Sequence, residues 1–110
     1  MNFKRRQLDY FVTVADEGQI TRAARKLQLA QPALSQAIAQ LELDLGFKLL
    51  ERHARGVTLT PAGEIFLVRA RAAVAAWADA AATARSLARA CSGTIEFGRA
   101  SCRERVYDDV

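Results

Sequence analysis

The stretch from Thr21 to Glu42, TRAARKLQLAQPALSQAIAQLE, predicts two short amphipathic helices joined by a tight turn. In the second helix, large aliphatic residues recur in steps of four and three, which places them on one face. They are Leu34, Ile38, Leu41 and Leu45. The first helix repeats the pattern with smaller residues, at Ile20, Ala23, Ala24 and Leu27. We therefore expect both helices to bury one face in a common core.

Only Gln28, Leu29 and Ala30 separate the two predicted helices. So short a joint forces a sharp angle between them, as in the helix-turn-helix unit. Pro32 fits the start of the second helix, because its missing N–H has no intrahelical partner there. Ala30, at the expected N-cap position, offers no side-chain oxygen for capping.

The other face of the second helix carries amide, hydroxyl and small side chains. They are Gln31, Ser35, Gln36, Ala39 and Gln40. Glutamine can pair bidentately with adenine, serine accepts several base edges, and alanine can contact a thymine methyl group. A polar helix face is usually only a solvated surface, and both interpretations fit this helix by itself. The preceding helix and the short joint favour DNA recognition.

Composition limits the 110 residues to one small domain with an appendage. No run approaches the roughly 20 apolar residues that cross a bilayer, and no secretory segment opens the chain, so we expect a cytoplasmic protein. Cys91 and Cys102 are too few for a disulfide framework, and together with His53 they show no zinc spacing. We expect free thiols and no metal site.

Positive charge is concentrated in the first 60 residues, which hold nine Lys and Arg against six Asp and Glu, a net +3. Residues 61–97 hold four Lys and Arg against three Asp and Glu, and the last thirteen residues hold three basic and three acidic residues. A phosphate-binding surface needs such an excess of positive charge near the second helix, which we call the reader helix. Lys4, Arg5 and Arg6 open the chain, and we assign them to a solvated helix start rather than to the site.

A further helix is predicted before this stretch and a β-hairpin after it. Leu8, Phe11, Val12 and Ala15 give the first helix, which ends at Gly18. Gly46 ends the reader helix, and Phe47 and Leu49 return to the core. Residues 50–52 and 57–60 are short, partly β-branched runs around a glycine, which predicts a hairpin wing.

The tip of this wing carries Arg52, His53 and Arg55. Cations beside the reader helix could contact phosphates or enter the minor groove. His53 has no partner residue for metal binding or for catalysis, so we expect it to contact phosphate or solvent.

Thr60 followed by Pro61 predicts a strong helix start, because threonine can cap and proline is pre-set for the first turn. Nothing interrupts the helix before Cys91, and 31 residues at about 1.5 Å each give about 46 Å. An apolar stripe in steps of four and three follows it: Phe66, Ala70, Ala73, Trp77, Ala80, Ala84, Leu87 and Cys91. The chain's own domain could shelter only the first turns, so we expect the stripe to form a homodimer interface.

The sequence from Leu8 to Glu64 resembles the N-terminal region of the LysR-type transcriptional regulators. The resemblance extends over about the first 92 residues and is carried by AQPALSQ, LELDLGFKLLER and VTLTPAGE. It implies a mainly α fold, namely a winged helix-turn-helix with a small β-hairpin wing and then a long dimerisation (linker) helix that pairs antiparallel with a second subunit. We expect the DNA-binding domain at 1–60, the linker helix at 61–92, and a hinge with a truncated tail at 93–110.

The resemblance also implies functional residues. Base contacts fall on Gln31, Pro32, Ser35 and Gln36, wing contacts on Arg52 and Arg55, and phosphate contacts on Thr21 and Arg22. Gln40 and His53 join this DNA-binding set through their positions on the reader helix and the wing. Many members have arginine where this chain has Gln36, which removes a guanine or phosphate contact and favours adenine.

In this family a two-lobed domain that senses a small-molecule coinducer follows the linker helix, and the usual number of subunits is four. Only thirteen residues follow Phe97 here, and GRASCRERV resembles the translation of a sequencing adapter. We therefore expect residues 98–110 not to be native. We also expect no cofactor in this chain, with the coinducer bound only by the missing C-terminal domain.

Three functions remain open. The first is a sequence-specific transcriptional regulator of LysR type, a dimer that reads an inverted-repeat operator through helix Gln31 to Leu45 in the major groove. The alternative is a winged-helix protein-interaction module without sequence-specific DNA binding. An enzyme is least favoured, because one histidine and two distant cysteines do not assemble a nucleophile, a base and an orienting group.

Overall fold

The computed structural model describes residues 3–93, which form helices and one β-hairpin. The elements are α1 (Arg5–Glu17), α2 (Ile20–Leu27), α3 (Gln31–Leu45), β1 (Leu50–His53), β2 (Gly56–Leu59) and α4 (Pro61–Gly93). The chain divides into two compact units after Ala75. The predicted mainly α fold with a hairpin wing and a long last helix is confirmed. Within the described residues, no helix has the length and apolar character to cross a membrane.

The core of the first unit forms where the apolar faces of α1, α2 and α3 meet. Its buried residues are Leu8, Phe11, Val14, Ile20, Ala23, Ala24, Leu34, Ile38, Leu41, Leu45, Leu49, Leu50 and Ala70. All four aliphatic residues predicted for α3 are among them. In α1, Val14 is fully buried whereas Val12 and Ala15 are only half-buried, since Val14 follows Phe11 by three residues on the inner face.

The joint of the helix-turn-helix contains the three predicted residues, because α2 ends at Leu27 and α3 begins at Gln31. Gln28 adopts a left-handed conformation with φ 59°. Its N–H donates to the carbonyl of Arg25 at 3.2 Å, and the N–H of Leu29 donates to that of Ala24 at 2.9 Å. This is the Schellman pattern, which satisfies the last carbonyls of α2 and turns the chain into α3.

The wing is a two-stranded antiparallel hairpin in which Leu50 faces Leu59 and His53 faces Gly56. The first strand begins at Leu50 as predicted, and the other three strand ends differ from the predicted runs by one residue. The N–H of Val57 donates to the carbonyl oxygen of Gly18 at 3.0 Å, and a Cβ at Gly56 would lie 2.3 Å from that same oxygen. The wing therefore rests on the turn between α1 and α2, and this approach requires glycine at position 56.

Glu42 attaches the start of the wing to α3. Its Oε2 accepts hydrogen bonds from the backbone N–H of Leu49 at 2.7 Å and from that of Leu50 at 3.2 Å. Hydrogen bonds to an ionised acceptor are stronger than those between neutral groups. One carboxylate thus holds the reader helix and β1 together.

Thr60 caps α4, as predicted. The N–H of Gly63 donates to Thr60 Oγ1 at 2.9 Å, and this hydroxyl donates to the carbonyl of Lys48 at 2.7 Å. Gly63 also lies against the segment after α3, since a Cβ there would be 2.2 Å from the carbonyl oxygen of Leu49. The start of α4 is therefore fixed to the first unit by backbone contacts.

The first turns of α4 pack into the core through Phe66, Ala70 and Val74. The Phe66 ring contacts three other rings, with centroid distances of 6.1 Å to Phe3, 5.9 Å to Phe11 and 6.2 Å to Phe47. Phe47 remains 37% exposed, so its predicted return to the core is partial.

Two positions of the predicted dimer stripe take part in this packing. Phe66 is half-buried against its own core, and Ala70 is 1% exposed. Ala70 therefore has almost no surface left for a second subunit, whereas part of the Phe66 surface stays accessible. The first compact unit extends to Ala75 and so includes the first turns of α4.

An ion pair joins α4 to the end of α1, where the guanidinium of Arg71 donates to Asp16 Oδ1. This hydrogen bond raises the pKa of Arg71; burial opposes the rise and the charge of Asp16 adds to it. With its pKa raised in the folded state, Arg71 contributes stability below its unfolded pKa and loses that contribution as the pH rises through the folded pKa.

The second unit contains α4 from Ala76 onward. Trp77 is 56% exposed and Leu87 is 50% exposed, and Ala80 and Ala84 also lie toward solvent. Cys91 is disulfide-bonded, so the expected free thiol is wrong for this residue. Cys102 and the predictions for residues 94–110 lie outside the described residues.

Gly63→Ala should destabilise the protein. Alanine is ordinarily favoured over glycine in a helix by about 1 kcal/mol, but here the added methyl group would meet the carbonyl oxygen of Leu49. We expect a net loss of about 1–3 kcal/mol, as for other overpacked sites, measured by urea unfolding. Ser86→Ala, on the exposed part of the same helix, is the control and should be neutral or slightly stabilising. A stabilised Gly63→Ala protein would contradict the close contact.

Glu42→Ala should lower the free energy of unfolding by about 1–3 kcal/mol, because the N–H groups of Leu49 and Leu50 would be left without their acceptor. Glu42→Gln keeps one acceptor oxygen and should be less destabilising. Hydrogen exchange would locate the effect, with faster exchange of the Leu49 and Leu50 amides in the alanine variant. Equal destabilisation in both variants would show that the carboxylate does not hold the wing.

Candidate nucleic-acid interface

The face of α3 opposite the core is open to solvent. We call Gln31, Pro32, Ser35, Gln36 and Gln40 the reader face; Ser35 is half-buried and the other four are exposed. On the opposite side of the helix the aliphatic residues are 0–7% exposed. Burial of that side determines which side chains α3 presents. Amide groups and a hydroxyl point outward, as base recognition requires.

The first residue of α3 is hydrogen-bonded to the start of α2. The hydroxyl of Thr21 donates to Gln31 Oε1 at 3.3 Å. A hydroxyl has a single hydrogen, so this bond must open before Thr21 can donate to a phosphate. While the bond is closed, the amide N–H groups of Gln31 remain available to acceptors. The sequence pattern did not indicate this pairing.

A cleft of about 390 Å³ lies between the start of α2, the first residue of α3 and the wing. Its lining residues are Gln19, Ile20, Thr21, Gln31, Arg52, His53, Ala54, Arg55, Gly56 and Val57. We call it the wing cleft. It brings together Thr21, Gln31 and the three charged or polar residues of the wing tip, which belong to three separate elements.

The arginines of the predicted site are exposed. Arg22, Arg52 and Arg55 take part in none of the ion pairs formed within residues 3–93. Two of them line the wing cleft, and Arg22 follows Thr21 on α2. Cations outside internal ion pairs are available to neutralise phosphates along a nucleic-acid backbone.

Metal binding finds no support in this part of the chain. Residues 3–93 contain no group of three or more His, Cys, Asp or Glu side chains placed to hold a metal ion. His53 is exposed at the wing, on the strand that ends there.

A second cleft, which we call the α1 cleft, lies between α1 and the second half of α3. It measures about 470 Å³ and is lined by Lys4, Arg6, Gln7, Tyr10, Ala37, Gln40 and Asp44. The sequence pattern assigned Lys4 and Arg6 to solvent. Their charge was visible in the sequence, but their position next to Gln40 depends on how α1 packs against α3.

Comparison with known proteins gives a consistent result. Residues 5–64 match the family described as bacterial regulatory helix-turn-helix protein, lysR family. The nitrogen assimilation regulatory protein nac of Escherichia coli (strain K12) is 45% identical over 98 residues, which cover 89% of this chain and 32% of nac. The chain thus spans about a third of the length of that relative.

Two solved structures of DNA-binding domains in complex with DNA have the same fold. The CbnR domain aligns with a TM-score of 0.72 and 40% identity, covering 79% of this chain and 100% of that one. The BenM domain bound to catB site 1 DNA aligns with a TM-score of 0.75 and 40% identity, covering 78% and 97%. The family match covers more than half of the residues, and the fold agrees with it. The chain therefore belongs to the lysR family of bacterial regulatory helix-turn-helix proteins.

Proposed function

We propose that this chain is the DNA-binding part of a LysR-type transcriptional regulator and that its reader face recognises the operator in the major groove. The observation that carries the proposal is the division of α3 into a buried aliphatic side and an exposed amide side. The CbnR and BenM domains, which share this fold, are solved in complex with DNA. Their similarity to this chain supports the same type of ligand.

The wing cleft supplies the backbone contacts in this proposal. Arg52, His53 and Arg55 lie beside Gln31, so a duplex that places its base edges on the reader face brings its phosphates to the wing. Gln36 is exposed one turn further along α3. An amide at this position favours adenine, because it offers one donor and one acceptor to the N7 and N6 atoms.

A protein-interaction module with the same fold is the alternative considered from the sequence. A module of that kind would not need arginines without ion pairs beside an amide-bearing helix. Membership of a family of regulatory helix-turn-helix proteins also excludes the enzyme considered from the sequence. DNA recognition is therefore the function that the fold and the charges support best.

The homodimer belongs to the proposal, with α4 as the interface. In the second unit the predicted stripe is exposed, at Trp77, Ala80, Ala84 and Leu87. Phe66 and Ala70, in contrast, pack against the core of the first unit. In the first unit α4 instead exposes Ile65 and Val68, at 74% and 67%. A partner on this part of α4 would contact those two residues. Tetramer formation and the cytoplasmic location stay predictions.

Selection of bound duplexes from a random pool tests the function. We expect an enriched inverted repeat, because a symmetric dimer presents two reader faces to two half-sites. Gln31→Ala should reduce discrimination against a changed half-site base by about 1–3 kcal/mol. Arg55→Ala should weaken binding to all duplexes to a similar degree and make the salt dependence of log K less steep by about 1 for each bound subunit. Binding constants from fluorescence anisotropy at several salt concentrations measure both effects.

Recovery of featureless DNA from the pool would contradict sequence-specific reading and would favour the interaction module. Ser86→Ala serves as the control, since Ser86 is exposed on α4 and outside both clefts. It should preserve both the discrimination and the salt slope.

Leu87→Glu and Val68→Glu test the dimer. Each would place a carboxylate in an apolar interface, and we expect the dissociation constant of the dimer to rise by about tenfold or more. Sedimentation equilibrium measures this constant. Leu43→Glu is the matched control, because Leu43 is 76% exposed and lies on α3. Dissociation by the Leu43 variant alone would place the interface on α3 instead.

A further inference from the structure

We propose that the α1 cleft is a second phosphate-binding surface, in which Lys4 and Arg6 contact the DNA backbone beside the second half of the reader helix. The proposal rests on the proposed DNA-binding function and extends it to residues outside the helix-turn-helix and the wing. Its partner is the sugar-phosphate backbone of double-stranded DNA.

The position of Gln40 links this cleft to the reader face. Gln40 belongs to the exposed face of α3 and also lines the α1 cleft. It follows Gln36 by four residues, which is a rise of about 6 Å along the helix. A duplex that contacts Gln36 with a base edge therefore has backbone atoms within reach of long side chains that border Gln40.

The charges of the cleft fit a polyanion. Lys4 and Arg6 are exposed and take part in none of the ion pairs formed within residues 3–93, whereas the adjacent Arg5 pairs with Asp9 at 4.0 Å. Two cations with long side chains thus line one concave surface.

One carboxylate, that of Asp44, opposes these cations within the lining. Its Oδ1 accepts a hydrogen bond from Gln40 Nε2 at 3.1 Å, so the amide of Gln40 partly satisfies it. The remaining balance of the lining is positive. Tyr10 adds a phenolic O–H to the same cleft, and tyrosine is among the side chains that donate to phosphate oxygens.

The two clefts lie at different ends of α3. The wing cleft includes its first residue, Gln31, and the α1 cleft includes Ala37, Gln40 and Asp44, from the middle to the C-terminal end of the helix. The major groove is about 12 Å wide and is bordered by one phosphate backbone on each side. A helix in the groove meets both backbones. The wing supplies cations for one of them, and the α1 cleft supplies cations for the other.

The test compares the full chain with a Lys4→Gln, Arg6→Gln double variant. A second double variant, Arg85→Gln, Arg89→Gln, removes the same charge from exposed positions of α4. The probes are the duplex most enriched in the selection and a scrambled duplex of the same length and composition. Binding constants are measured over a range of salt concentrations, and thermal unfolding verifies that both variants remain folded.

A plot of the logarithm of the association constant against the logarithm of the salt concentration has a negative slope. We expect this slope to be less steep for the α1-cleft variant, by about 0.9 for each phosphate that a subunit no longer neutralises, on both duplexes. The ratio of affinities between the two duplexes should stay unchanged, because phosphate contacts do not read sequence. Ethylation of individual phosphates should identify backbone positions that impair binding by the unchanged chain but not by this variant.

A slope equal to that of the Arg85, Arg89 variant would overturn the proposal, and so would an identical pattern of ethylation interference. Featureless DNA from the selection together with a lowered slope would overturn specific reading and leave the phosphate surface standing. If the unchanged chain binds no duplex, both the proposed function and this inference are wrong.

Discussion

The interaction on which the rest of the structure depends is the burial of the aliphatic side of α3. Leu34, Ile38, Leu41 and Leu45 are nearly inaccessible to solvent, and each buried aliphatic side chain contributes about 1.5–3 kcal/mol. Rotation of α3 about its axis would expose these side chains and bury the amides of its other face. The orientation of the reader face is therefore enforced by the core, although none of the reader residues contributes to it.

Hydrogen bonds on both sides of α3 fix the positions of the segments next to the reader face. Glu42 fixes the strand that follows the helix, and the Schellman turn at Gln28 fixes the chain before it. The wing is held from the other side by the contact of Gly56 and Val57 with Gly18. Both elements that border the reader face are thus anchored through backbone atoms. This arrangement preorganises the interface, so that the entropic cost of ordering it is smaller when a duplex binds.

Much of the fold could be predicted because α1, α2 and α3 each have an apolar face at helical spacing. The periodicity of α2 and α3, the joint at Gln28 to Ala30 and the start of α4 at Pro61 all follow from local residue types. The packing of Phe66 and Ala70 against the core was harder to predict, for an equally physical reason. Alanine and other apolar residues occupy several faces of α4. An apolar stripe with period 3.5 therefore does not show which of these faces packs against the core. The packing through Phe66, Ala70 and Val74 is decided by contacts with α1 and with the segment after α3.

The candidate site was predictable in its residue types and less so in its geometry. Amides on one helical face and arginines at a hairpin tip are visible in a sequence, but the α1 cleft and the Thr21–Gln31 hydrogen bond require elements far apart in the chain. The same reasoning bears on α4. Its first turns are tied to the unit that carries the reader face by the Thr60 cap, by Gly63 against Leu49 and by the Arg71–Asp16 ion pair. The surface formed by Ile65 and Val68 therefore lies on a segment that is packed against the unit that carries the reader face.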